Sequence, residues 1–152
     1  MIVRYTPGLS PAPVPSLAGS RTRYRPLLAV RVRSATRSLL RDGLIDSGAD
    51  DTVFPEHLAL NLGLDLTNAP QLAINLAGRG VLVCRYASVE LTISDGILET
   101  YEWTATVGFV PVPLRNPLLG HAGFFDFFDV DFRKVSREAL IVPNAAFPGR
   151  RI

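Results

Sequence analysis

Apolar and polar residues alternate along much of this chain with a period of two, as in strands that bury one face. Leu28-Ala29-Val30-Arg31-Val32-Arg33 ends in clean alternation, apolar at Val30 and Val32 and basic at Arg31 and Arg33. Ser34 to Arg37 reads as a turn, and Ser38 to Ile45 as a second strand, broken at Asp42-Gly43. Leu72 to Leu76 and Val81 to Arg85 are apolar runs around Ala77-Gly78-Arg79-Gly80, which predicts a hairpin with a glycine-rich tip. Val89, Leu91 and Ile93 alternate with Ser88, Glu90 and Thr92. After the turn signal Ser94-Asp95-Gly96, the segment Ile97 to Val110 returns, with Tyr101, Trp103 and Ala105 set against Glu102, Thr104 and Thr106. These two read as a half-buried antiparallel pair with Trp103 in the core. Ala139 to Pro143 is a further short apolar strand. Helical signals are confined to Pro55–Leu62, stopped by Gly63, and to His121–Phe128. The pattern predicts an all-β domain.

The ends read differently. Residues 1–26 carry Pro7, Pro11, Pro13, Pro15 and Pro26 among Gly and Ser, the composition of an extended arm or linker. The domain is expected over 27–142, with 143–152 as a flexible tail.

A length of 152 residues, 47% of them apolar and 20% charged, suits one globular domain. Sixteen Lys+Arg against fourteen Asp+Glu leaves a formal charge of +2 and no strong overall bias. Arginines do gather early, at Arg21, Arg23, Arg25, Arg31, Arg33, Arg37 and Arg41. Without interleaved aromatics they do not read as a nucleic-acid surface, but as a solvated strand face or a grip on the acidic loop of a second copy. The lone Cys84 and the separated His57 and His121 exclude a disulfide framework and a Cys/His-rich zinc site. No metal or cofactor is expected. Cys84 reads as a small buried hydrophobe and His57 as a surface residue of its short helix. No secretory signal or membrane span is visible, so a cytoplasmic protein is expected.

Candidate chemistry enters at Leu44-Ile45-Asp46-Ser47-Gly48-Ala49-Asp50-Asp51-Thr52-Val53, where an aspartate ends an apolar strand and a glycine follows two residues later. Pro117-Leu118-Leu119-Gly120 is a second element of the same pattern. Together they resemble the retropepsins, single-lobe aspartic proteases of retroviral type that act as symmetric dimers. The resemblance implies a retropepsin-like acid-protease β-barrel with a flap hairpin and one short helix. It implies Asp46, Ser47 and Gly48 as the catalytic triplet, the Ser47 hydroxyl bonding across to the partner chain. It further implies substrate contacts from Ala49, Asp50, Asp51, Val53, Leu118 and Leu119, and from Gly78, Arg79 and Gly80 at the tip of the flap. Chain ends in the family pair between subunits, a role open to Ala139–Pro143. Two departures stand out: Ser47 where Thr is commoner, and His121 where viral members carry an Arg paired with the acidic loop.

Hydrolysis by this route needs two carboxylates, one as base on water and one donating to the scissile carbonyl. The chain holds a single Asp-Ser-Gly, so the expectation is a homodimer with one Asp46 from each copy, acting on a peptide or protein bound as an added strand. No nucleic acid or membrane partner is expected. The competing expectation is a non-catalytic dimerisation or peptide-binding module on the same fold.

Overall fold

The computed structural model of the chain describes residues 1–76 and 78–152. Its regular secondary structure is almost all strand. Strand β1 covers Ile2–Arg4, β2 Thr6–Leu9, β3 Thr22–Arg25, β4 Leu27–Arg33, β5 Ser38–Ile45 and β6 Val53–Pro55. The one α-helix among the described residues, α1, spans Glu56–Leu62 and ends at Gly63, whose φ of 71° suits a left-handed helix terminus. Then follow β7 (Gln71–Leu76), β8 (Gly80–Ser94), β9 (Thr100–Val110), β10 (Leu118–Leu119), β11 (Phe128–Arg133), β12 (Glu138–Pro143) and β13 (Arg150–Arg151).

The main sheet runs β13-β9-β6-β10-β5-β4-β8-β7. The long β8 also pairs with β9 from Arg85↔Phe109 to Ser94↔Thr100, which closes the inner strands into a barrel. Alternation drives this closure: β4 buries Leu28, Val30 and Val32 and exposes Ala29, Arg31 and Arg33. Trp103, Phe109, Phe54 and Leu91 fill the interior from other strands. Each fully buried side chain of this size contributes about 1.5–3 kcal/mol. The strand β5 is continuous through Gly43, where a break was expected. A Cβ there would sit 2.9 Å from Leu119 Cγ, so the glycine makes room for a core leucine rather than a turn.

Four expectations fail on tertiary contacts. Residues 1–26 are no free arm. Met1 is buried, its ammonium donates to Ile141 O at 2.7 Å and pairs with Glu99, β1 pairs with β12, and β2 and β3 form a hairpin. The tail is not loose either: β13 pairs with β9, and the Phe147 ring lies 5.0 Å from that of Phe128 and 6.1 Å from that of Trp103. Residues 121–127 form successive turns instead of a helix, because Gly123 takes φ 90°, outside the right-handed helical region, and Phe128 already begins β11. Finally, β12 lies between β1 and β11, so both its edges are already paired within the chain. Pairing between copies through β12 is thereby displaced.

Candidate active site

The site is assembled where β10 slides between β5 and β6. Leu118 and Leu119 run parallel to Leu44 and Ile45, and Leu118 faces Val53 antiparallel. The strands on either side of the Asp46 loop are thus tied through a third strand from late in the chain. Asp46 N donates to Leu119 O at 3.1 Å, holding the aspartate at the end of β5. Its carboxylate accepts from Gly48 N at 2.9 Å. Ala49 N closes the turn on Asp46 O at 3.2 Å. Asp46 itself is only partly covered, and Ser47 and Gly48 are exposed.

A second ladder secures the far side of the loop. His121 N donates to Ala49 O at 2.9 Å, Ala122 N to Asp50 O at 2.8 Å, and Thr52 N to Ala122 O at 2.9 Å. Gly120 N reaches the buried Thr52 Oγ1 at 3.2 Å. These backbones are packed so closely that a Cβ on Gly120 would collide with Asp51 O and stand 2.6 Å from Ala49 O. Glycine is required there by space.

The departure at His121 has a structural answer. Its Nε2–H donates to Ser47 O at 3.0 Å, and its ring rests 5.3 Å from that of Phe125. The histidine therefore braces the Asp46 loop from the position where an arginine was looked for, through a carbonyl instead of an acid. Asp50 is exposed, while the half-buried Asp51 accepts from Tyr86 Oη at 3.0 Å. Burial, then the neighbouring Cys84 and Asp51, push the Tyr86 phenol well above its ordinary range. Cys84 is buried beside it in the space left by Gly108, and burial raises its thiol too. The Tyr86–Asp51 bond was not anticipated. Its only trace in the sequence is a tyrosine on a strand that alternates.

A cavity of about 450 Å³ opens on this loop. Its floor is Asp46, Gly48, Ala49, Asp50, Asp51, Val53 and Leu118, and its wall is β7 from Leu72 to Leu76. Ala49, Asp50, Asp51, Val53 and Leu118 thus gather around Asp46. Leu119 does not: one position further along β10, it points to the opposite side and is wholly buried. Gly78, Arg79 and Gly80 lie at the far end of the β7–β8 hairpin, outside the lining, with Arg79 Nη2 donating to Pro113 O at 3.4 Å. The sequence marks the hairpin by the glycines of its tip, and nothing in the apolar run Leu72, Ala73, Ile74, Asn75 and Leu76 signals that it forms the cavity wall. Ala77, in that tip, lies outside the described residues. Since β7 ends the sheet, its outer edge carries unpaired backbone groups beside the cavity. Among the described residues no cluster of acids, histidines and cysteine is arranged to hold a metal ion, and no helix is long and apolar enough to cross a membrane.

The architecture has a counterpart among solved structures. A retropepsin-like aspartic protease from Rickettsia conorii superimposes with a TM-score of 0.53 at 16% identity, over 93% of this chain and 92% of that one. No family model and no curated protein sequence matches the chain. The fold is retropepsin-like.

Proposed function

We propose that the chain is an aspartic endopeptidase whose site is completed by a second copy of itself. The observation that carries this reading is the placement of Asp46. Its carboxylate is held by Gly48 N–H at the floor of the cavity, on a loop pinned from both sides by the 118–122 segment. One chain supplies one such carboxylate, and hydrolysis needs two. Two-fold symmetry brings a second Asp46 opposite the first.

In that arrangement the pair holds one proton between them. The ionised carboxylate takes a proton from water as its oxygen bonds to the scissile carbonyl carbon. The protonated carboxylic acid gives its proton to the carbonyl oxygen, forming a tetrahedral diol. Collapse of the diol breaks the C–N bond, and the amine leaves with a proton returned through the dyad. Val53 and Leu118 offer apolar contacts for side chains beside the bond, and the free edge of β7 offers backbone groups to an extended peptide. With both edges of β12 occupied, the seam between copies falls on other surfaces, of which the outer edges of β1 and β11 are the nearest strand edges.

The test is cleavage of a mixed peptide library, scanned from about pH 4 to about pH 7, by wild type and Asp46→Asn, with sedimentation of both. The reading expects cleavage by the wild-type dimer and none by an equally dimeric variant. Cleavage that survives the substitution removes the mechanism. A folded wild-type dimer that cuts nothing favours a peptide-binding module instead.

A further inference from the structure

Cationic side chains are distributed unevenly. Arg33, Arg85, Arg133 and Arg150 each meet a carboxylate, namely Glu90, Glu56, Asp131 and Glu102. Arg23, Arg25, Arg115, Lys134 and Arg137 form no ion pair among the described residues. These five line two cavities that share Arg23 and lie toward opposite faces of the β2–β3 hairpin. One, about 320 Å³, lies between the β2–β3 hairpin and the turn before β10 and has Arg23, Arg25 and Arg115 in its wall. The other, about 400 Å³, lies between the same hairpin and the β11–β12 turn and has Arg23, Lys134 and Arg137. Neither lining contains an Asp or a Glu.

We propose that the hollow bordered by Arg23, Arg25 and Arg115 is an exosite for an acidic stretch of the peptide substrate, a step that rests on the peptidase reading above. Local geometry gathers the charges. Arg25 pairs with Thr6 and Arg23 with Gly8 across the hairpin, so the two arginines share one face about 7 Å apart. Gly8 has no side chain to cover that face, and Arg115 Nη2 lies 3.9 Å from where its Cβ would be. Three guanidiniums therefore border one hollow with no anion of the chain between them. Guanidinium forks match carboxylates in bidentate geometry, which fits them to Asp or Glu side chains.

Position links the hollow to the site. Leu27 pairs with Leu44, and Ile45 N donates to Pro26 O at 3.0 Å, so Arg25 stands at the end of β5 from which Asp46 emerges. From there Arg23 continues the same face away from the Asp46 loop, while Lys134 and Arg137 lie toward the other face, beside Tyr24. A peptide cut at Asp46 would meet the three arginines several residues from its scissile bond. Nucleic acid fits less well, because no aromatic side chain lines this hollow to stack on bases.

The experiment measures binding in the full chain carrying Asp46→Asn, so that its readout does not need turnover. Fluorescence anisotropy is recorded with labelled hexaglutamate, labelled hexaglutamine and a labelled single-stranded oligonucleotide. Hexaglutamate is expected to bind, and to weaken as ionic strength rises. Adding Arg23→Gln, Arg25→Gln and Arg115→Gln together should weaken it by roughly tenfold or more. Arg115→Gln alone, in the turn before β10, should weaken it by a smaller factor and guards against misfolding of the triple variant, and Lys134→Gln, toward the other face, should leave it unchanged. Equal binding of hexaglutamine, unchanged binding by the triple arginine variant, or tighter binding of the oligonucleotide each overturns the proposal. If wild type cleaves peptides but hexaglutamate does not bind, the exosite alone fails. If hexaglutamate binds and nothing is ever cleaved, the peptidase reading fails, and with it the role of the hollow in substrate choice.

Discussion

Replacing Gly120 by alanine introduces a methyl group where two backbones already touch. The new Cβ would overlap Asp51 O and stand 2.6 Å from Ala49 O, and neither is the free end of a side chain that can swing aside. Relief requires the 120–122 segment to part from residues 49–52. That movement stretches the bonds from His121 N to Ala49 O, from Ala122 N to Asp50 O and from Thr52 N to Ala122 O. Overpacking of this kind costs about 1–3 kcal/mol, and weakening one or two backbone bonds adds about 1 kcal/mol each. The sum, about 2–5 kcal/mol, is a large part of the ~5–15 kcal/mol that holds a domain together. For a chain of this length it corresponds to a fall in Tm of roughly 5–15 °C. Thermal and guanidinium unfolding followed by circular dichroism measures it, with Gly48→Ala as the control. That Cβ meets only Asp46 Oδ1, at 3.2 Å, so the control should lose less than about 1 kcal/mol. A Gly120→Ala protein that melts within about a degree of wild type would show that the clasp around the Asp46 loop is not as tight as described.

Other consequences are open to simpler measurements. Cys84 has no exposed surface and its thiol is raised by burial, so a thiol-specific reagent near neutral pH should label it only after unfolding; prompt labelling of the native protein contradicts that placement. Asp95 accepts from the backbone N–H groups of Glu99, Ile97 and Leu98, which lowers its carboxyl from 3.8 to about 2. A depressed carboxyl stabilises the fold above its unfolded value and loses that effect as pH falls through its folded value. Asp95→Ala should therefore lower the denaturation midpoint at neutral pH, with the gap closing as pH falls from about 4 to about 2; a gap that stays constant with pH refutes the assignment. Phe147→Ala removes ring contacts to Tyr101, Trp103 and Phe128 and should cost about 2 kcal/mol in denaturant unfolding. No loss there would mean that the C-terminal segment is not anchored as described.

Local patterns carried the strands, the helix stop and the turns, because each of these is set by neighbours in sequence. The alternation of β4, β8 and β9, the Gly63 stop of α1, the burial of Trp103 and Cys84 and the exposure of His57 all follow from residues a few positions apart. The Asp46 turn was legible for the same reason. What escaped depends on partners distant in sequence. Prolines mark residues 1–26 as irregular, yet β1 finds its ladder at Glu138–Leu140, and nothing near Met1 announces that pairing. Glycine at 43 looks like a turn until Leu119 is seen against it. Leu118 and Leu119 are indistinguishable by type, and only the strand period sends one to the cavity and the other to the core. The apolar run His121–Phe128 has helix-like composition, but Gly123 takes a left-handed φ that breaks it.

The central claim is that each active site takes one Asp46 from each of two chains, and subunit mixing tests it most directly. Wild type and Asp46→Asn are combined in varying ratio, allowed to exchange, and assayed for peptide cleavage at constant total protein. A shared dyad predicts activity proportional to the square of the wild-type fraction, about one quarter at an equal mixture with random assortment. Activity that falls only in proportion to that fraction, to about one half at an equal mixture, would mean that each chain acts alone and would contradict the account.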